Sequence, residues 1–229
     1  MQEGCLADYE RYEFHRVVQA LQTVCSEDLG GFYLDILKDR LYTTAPDSRA
    51  RRSAQSALWH ILQAFTRLMA PILAFTAEEI WQVLTGDAEQ SVMLHTWHEL
   101  PKPEGEGELL AKWALVRAVR ADVTKALEAQ REAGRIGSAL QAAVDIRCDG
   151  ERFAALASLG DDLKFVLICS STAVIKDENE QVVATPLDHA KCERCWHVRA
   201  DVGTSAEHSG LCGRCVSNLY GEGEARNGA

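Results

Sequence analysis

A chain of 229 residues, 47% of them hydrophobic, can bury a core of its own in one large domain or a few small ones. Its formal net charge of −10 argues against a general nucleic-acid binder. No uncharged stretch approaches the roughly 18 apolar residues that a membrane span needs, and Met1-Gln2-Glu3-Gly4 lacks the basic and apolar regions of a secretory signal.

Phe14, Val17, Val18, Leu21, Val24 and Cys25 recur at steps of three and four, the period of a helix with one buried face. Gly30-Gly31 predicts a break or kink, after which Phe32, Ile36, Leu37 and Leu41 resume the stripe. Pro46-Asp47-Ser48 is a stop followed by an N-cap candidate. The next, long helix carries Ala54, Leu58, Ile61, Phe65, Leu68 and Ile72 on its core side, and Pro71 predicts a kink or split in it. Its second part, Thr76 to Leu84, ends near Gly86. Residues 86–107 are expected as an extended connector, closing in Pro103-Glu104-Gly105-Glu106-Gly107. A further helix runs from about Leu109 to Gln130, with Leu109, Trp113, Val116, Val119, Val123 and Leu127 on one side. Trp59, Trp81, Trp97 and Trp113 are expected in the core. Residues 1–135 therefore read as a helical bundle.

The pattern changes after Gly134-Arg135-Ile136-Gly137. Leu140, Ala142, Val144, Ile146 and Cys148 alternate with more polar neighbours at a period of two, which predicts a strand. Residues 151–159 suit a short helix stopped by Gly160. Phe165-Val166-Leu167-Ile168-Cys169 is expected as a second strand, with Ala173-Val174-Ile175 a candidate third. The fold class expected is mainly α: the bundle, a small β-α-β appendage at 138–176, a polar linker at 177–189, a four-cysteine module at 190–217, and a mobile tail at 218–229.

That module contains Cys192-Glu193-Arg194-Cys195, sixteen intervening residues, and Cys212-Gly213-Arg214-Cys215. Two Cys-x-x-Cys knuckles at this separation match a tetrahedral four-thiolate zinc site, each placing two sulfurs about 2.3 Å from one ion. Four protein ligands leave no open position, so the zinc would be structural. The alternatives are two disulfides or four free thiols. His189, His197 and His208 lie close enough in sequence to replace a cysteine, but with four thiolates at hand they read as bystanders or as partners of the ligands. Cys5, Cys25, Cys148 and Cys169 show no paired spacing, which together with the knuckles points to a reducing cytoplasm.

No catalytic constellation emerges. There is no glycine-rich phosphate loop and no His-Glu-x-x-His, and Glu78-Glu79 are adjacent on a helix and point in different directions. The isolated chain reads as having no catalytic residue. Its charge is unevenly spread, however. Residues 38–67 carry six cations (Lys38, Arg40, Arg49, Arg51, Arg52, Arg67) against two acids, and residues 110–135 carry six against three. Arg49, Arg51 and Arg52 fall in the first turn of the long helix, where the macrodipole disfavours cations by about 0.3–1 kcal/mol each. They are either a solvated basic turn or, with Lys38 and Arg40, contacts for a phosphate backbone. Trp196 either caps the small zinc-module core or, if exposed, stacks on an unpaired base.

The run Phe32-Tyr33-Leu34-Asp35-Ile36-Leu37-Lys38-Asp39-Arg40-Leu41-Tyr42-Thr43 resembles the anticodon-binding helical domain of class I tRNA synthetases of the isoleucyl/valyl group. Ala70-Pro71-Ile72-Leu73-Ala74-Phe75-Thr76-Ala77-Glu78-Glu79-Ile80-Trp81 is similar to the matching later helix. Lys191 to His197 and Leu211 to Cys215 resemble the C-terminal zinc module of bacterial isoleucyl-tRNA synthetases. The resemblance covers nearly the whole chain, and its zinc block is the part that narrows the choice to isoleucine.

What the resemblance implies is recognition of the anticodon stem and loop of tRNA(Ile), with Lys38, Arg40, Arg51, Arg52, Arg194 and Trp196 as candidate contacts and one structural zinc. The family's His-Ile-Gly-His and Lys-Met-Ser-Lys-Ser type signatures and its editing domain have no counterpart here. The chain is thus expected to correspond to the C-terminal part alone, with ATP and Mg2+ belonging to the catalytic portion that would be its partner. Two other classes remain open. A four-cysteine hairpin also holds DNA in formamidopyrimidine-DNA glycosylases, but those enzymes need an N-terminal proline followed by glutamate, which Met1-Gln2 does not supply. The other is a stand-alone interaction protein that uses zinc only for folding.

Overall fold

The computed structural model describes residues 1–87 and 89–226, and the chain divides into two compact units. The first takes Met1–Leu37 and Ser53–Lys102; the second takes Lys38–Arg52 and the chain from Pro103 onward. Compactness thus cuts across the helical domain expected over 1–135, because its segment 38–52 and its last long helix group with the C-terminal part of the chain. Among the described residues, no helix is long and apolar enough to cross a membrane.

In the first unit, α1 (Gln2–Glu10) packs on α2 (Phe14–Thr23), which buries Val17 and Leu21. Gly30-Gly31 does not break the helix. The chain passes through a π-helical segment, Val24–Tyr33, directly into α3 (Leu34–Thr43). A Cβ on Gly30 would stand 3.0 Å from the Cys25 carbonyl oxygen, and one on Gly31 3.2 Å from that of Ser26. Glycine therefore lets these widened turns close, rather than ending them.

Ser48 caps α4 (Arg49–Met69), its Oγ accepting a hydrogen bond from the Arg51 N–H at 3.2 Å. The helix ends before Pro71, which has no N–H to continue the ladder. The next helix, α5 (Ala74–Thr85), stops at Gly86, whose φ of +70° is the usual left-handed exit. Cys5, Val17, Leu21, Leu68, Met69, Ala77, Trp81 and Val92 form the core here. Trp59 and Trp97, expected inside, are half-exposed. The Glu78 carboxylate accepts hydrogen bonds from Ser91 Oγ at 2.9 Å and Val92 N at 3.0 Å, so it anchors the connector.

In the second unit, α6 (Glu106–Glu132) buries Val116, Val119, Val123 and Leu127, a spacing that keeps one face inward. Strand β1 (Ala142–Cys148) is the centre of a three-stranded sheet and alternates inward and outward as expected. It pairs in parallel with β2 (Ser171–Lys176), Ala143 opposite Ser171 through Cys148 opposite Lys176. On its other side it pairs antiparallel with β3 (Gln181–Pro186), Ala142 opposite Pro186. The crossover from β1 to β2 carries α7 (Gly150–Ala157) and α8 (Leu163–Leu167), and α6 packs on β3, α7 and α8.

Three expectations are corrected. Phe165-Val166-Leu167 are the end of α8 rather than a strand, and Ile168, with φ of +55°, turns the chain out. An apolar run buried on every side lacks the alternation that separates strand from helix. The linker expected at 177–189 contains β3, whose Val182, Val183 and Thr185 are β-branched and complete the free edge of β1. The tail expected from 218 is ordered at its start by α9 (Gly213–Tyr220), and farther on the Arg226 side chain is only 1% exposed. The remainder of that tail, residues 227–229, lies outside the described residues.

Candidate metal centre and nucleic-acid interface

Cys192, Cys195, Cys212 and Cys215 are all buried, and their sulfurs lie within 4.8 Å of one another. The first knuckle is closed by two backbone hydrogen bonds of 2.9 Å, Cys192 N to His197 O and Trp196 N to Cys192 O. The second opens α9, where Asp201 Oδ2 accepts from Gly213 N at 3.0 Å and is itself held by Arg199. Cys212 N reaches back to Cys192 Sγ at 3.4 Å. Among the described residues, only Val202 and Leu211 pack as partly buried apolar neighbours against the four cysteines. So little apolar burial leaves a role for cross-linking through a metal, which would supply folding free energy that the module's own core does not.

Cys195 and Cys212 sulfurs stand 3.7 Å apart, far beyond a disulfide bond, and all eight cysteines are free thiols. Hydrogen bonds from Cys195 and Cys215 pull the Cys212 thiol below its ordinary value, while Cys215, bonded to Cys195 and Cys212, is pushed above. Four thiolates complete the tetrahedron that zinc prefers, and this donor set supports a structural zinc. None of the three nearby histidines joins it. His189 is exposed, His208 stacks on Tyr220 with centroids 4.0 Å apart, and His197 is buried edge-on to Phe165.

The second unit contains every candidate contact for a polyanion: Lys38, Arg40, Arg51, Arg52, Arg194 and Trp196. Lys38 is exposed and Arg40 partly buried. Arg52 pairs with Asp47 at 2.9 Å between two well-exposed side chains, a pairing worth little. Arg51 donates to the Leu41 carbonyl, so part of its guanidinium is committed to the backbone. Trp196 is 60% exposed, adopts a φ of +65°, and has the Lys191 ammonium 5.2 Å from its ring centroid. Its ring takes no part in the small apolar core.

Arg194 commits part of its guanidinium to the backbone. Its Nη1 donates to the Thr43 carbonyl at 2.6 Å and its Nη2 to that of Tyr42 at 3.1 Å. Sequence reasoning also missed a buried ionic cluster. Arg214 grips Asp39 with two bonds of 2.9 and 2.7 Å, and Arg226 pairs with Asp39 and Glu224 while its guanidinium lies 3.6 Å from the Phe165 ring centroid. The repeated Cys-x-Arg-Cys marks one arginine in each knuckle, but nothing nearby in the sequence marks their partners.

Residues 1–146 match the family model for the anticodon-binding domain of tRNA ligase, and residues 191–218 match that for a zinc finger found in FPG and IleRS. The chain belongs to the family of anticodon-binding domains of tRNA ligases. It is 78% identical over 226 residues to the isoleucine–tRNA ligase of Dechloromonas aromatica (strain RCB), covering 99% of this chain and 24% of that protein. The isoleucine–tRNA ligases of Aromatoleum aromaticum and Janthinobacterium sp. (strain Marseille) are each 60% identical over 232 residues, covering 100% and 99% of this chain and 25% and 24% of theirs. The chain therefore spans about a quarter of the length of the curated relatives it matches.

Proposed function

We propose that this chain is the anticodon-recognising, C-terminal portion of a cytoplasmic isoleucine–tRNA ligase, and that it binds tRNA(Ile) through the anticodon stem and loop. The observation that carries the reading is the pairing, in one chain, of an anticodon-binding domain with a zinc finger of the IleRS type. Cys192, Cys195, Cys212 and Cys215 hold the one zinc, which when bound supplies folding free energy on the order of 10–16 kcal/mol to the module. Lys38, Arg40, Arg51 and Arg52 meet phosphates and set the register of the RNA, which carries no base information by itself. Trp196 offers an exposed indole face for an unpaired base, a contact worth about 1–3 kcal/mol. Aminoacylation, with its ATP and Mg2+, belongs to the catalytic portion of the enzyme.

Binding of the zinc-loaded chain to tRNA(Ile), to a second tRNA and to duplex DNA at one salt concentration tests this. The reading requires tRNA(Ile) to bind tightest. Preference for duplex DNA would favour the glycosylase-type use of the same zinc hairpin, and indifference to all three would return a stand-alone interaction protein.

A further inference from the structure

The two knuckles share a feature that metal ligation does not use. Each is Cys-x-Arg-Cys, and neither arginine points into solvent as a free cation. Arg194 spans the last two carbonyls of α3, those of Tyr42 and Thr43, which have no partner within a helix that ends there. A cation at this end also meets the negative pole of the helix dipole. The same Nη1 that bonds Thr43 lies 3.8 Å from Cys215 Sγ, so one nitrogen faces a cysteine sulfur and the end of α3 together. Arg214, 7% exposed, grips Asp39 one turn earlier in a bidentate pair and reaches Thr43 Oγ1 at 3.2 Å.

Arg226 closes the arrangement from the other side. Its side chain lies between Asp39, Glu224 and the face of Phe165, a ring that also has the Arg214 guanidinium 4.9 Å from its centroid. Of the three guanidiniums, those of Arg214 and Arg226 face two carboxylates, Asp39 and Glu224, while that of Arg194 donates to backbone carbonyls. Four thiolates around a divalent ion would carry a formal double negative charge, which more than offsets the one surplus cation. Arg51 adds one more tie within the segment by donating to the Leu41 carbonyl.

We infer that Arg194 and Arg214 are positioning residues that clamp the end of α3 to the cysteine cluster, with Arg226 as the lock, so that metal loading fixes the backbone of segment 38–52. The inference rests on the proposed structural zinc for its metal dependence, though the clamp itself stands on the contacts alone. The segment so fixed carries Lys38, Arg40, Arg51 and Arg52. The zinc module thus presets the basic surface rather than only offering Trp196 beside it. Arg194 and Arg214 act through that backbone and touch no phosphate.

Hydrogen exchange on the full chain, with zinc content measured alongside, tests this without any RNA. Arg194→Gln and Asp39→Asn should each retain zinc at the wild-type ratio while amides in 38–52 exchange about tenfold faster or more. Exchange in α6 should be unchanged. Arg194→Lys, which keeps a charge near Cys215 but cannot span two carbonyls, should fall between. Chelation should reproduce the loss in 38–52 and add loss across 190–216. Unchanged protection of 38–52 in both variants would overturn the clamp, as would loss of zinc in step with loss of protection, which would make the arginines part of the metal site's own folding. A wild-type chain that binds no zinc, with variants that still lose protection, would keep the clamp and reject the zinc reading instead.

Discussion

Asp39→Ala removes one of the two carboxylates that Arg214 and Arg226 both face, leaving two buried guanidiniums against Glu224 alone. Deleting one partner of a buried pair costs about 3–5 kcal/mol, because the other charge stays behind uncompensated. Here Glu224 remains 3.3 Å from Arg214 and 3.4 Å from Arg226, and Thr43 Oγ1 remains 3.2 Å from Arg214. Those residual bonds place the expected loss near the lower end, about 3 kcal/mol. Exchange of the slowest amides in 38–52 reports it, and they should exchange roughly a hundredfold faster. Pairing Asp39→Leu with Arg214→Met leaves Arg226 and Glu224 as a neutral couple in a more apolar site, so the double variant should cost less than its two singles combined. Burial opposes ionisation of Asp39, yet the hydrogen bonds from Arg214 and the charges of Arg214 and Arg226 outweigh it and hold the carboxyl below its usual range. The stability this contributes is present above about pH 4 and is lost as the pH falls through the native value, so the gap between wild type and Asp39→Ala should begin to narrow below about pH 4. A single-variant cost under about 1 kcal/mol, or a double variant as costly as the sum, would refute the reasoning.

Trp196→Ala should weaken binding to tRNA with the isoleucine anticodon by about 1–3 kcal/mol while zinc content is retained. Trp196→Gly should retain zinc equally well, since glycine accepts the positive φ, and collapse of the module in either would return the ring to a structural role. Metal analysis should find one zinc per chain, lost in Cys192→Ser, and chelation should open the region near 190–216 while the core around Leu68 and Trp81 persists. Alkylation at pH 8 should label exposed Cys25 and spare Cys169, whose thiol burial pushes up to about 12, leaving a thiolate fraction of roughly one in ten thousand. The stability from keeping that thiol neutral is present below its ordinary value of 9.0 and is lost as the pH rises toward 12, which urea titration across that range would report.

The parts of this molecule that were legible in its sequence are those whose physics is local. Zinc ligation needs sulfurs at fixed short spacings, so the knuckles could be read directly, and β1 announced itself by alternation because one of its faces is buried. Helix limits were legible where a cap or proline acts within a turn, as at Ser48, Pro71 and Gly86. The misreadings share a different cause. Gly30-Gly31 looked like a break because glycine disfavours helix, but the carbonyls of Cys25 and Ser26 approach so closely there that a Cβ would be crowded. Phe165 to Leu167 looked like a strand because a segment buried on all sides carries no period. The arginine cluster was beyond reach for a third reason. Asp39 meets Arg214 across 175 residues and Arg226 across 187, and nothing local marks those partners. Net charge per segment counted Asp39 only as an acid diluting a basic run. Its contacts make it the joint through which that run is tied to the cysteine cluster. A charge surplus read along the chain does not register such commitments: within the basic segment Arg51 donates to the Leu41 carbonyl, and from the first knuckle Arg194 donates to those of Tyr42 and Thr43.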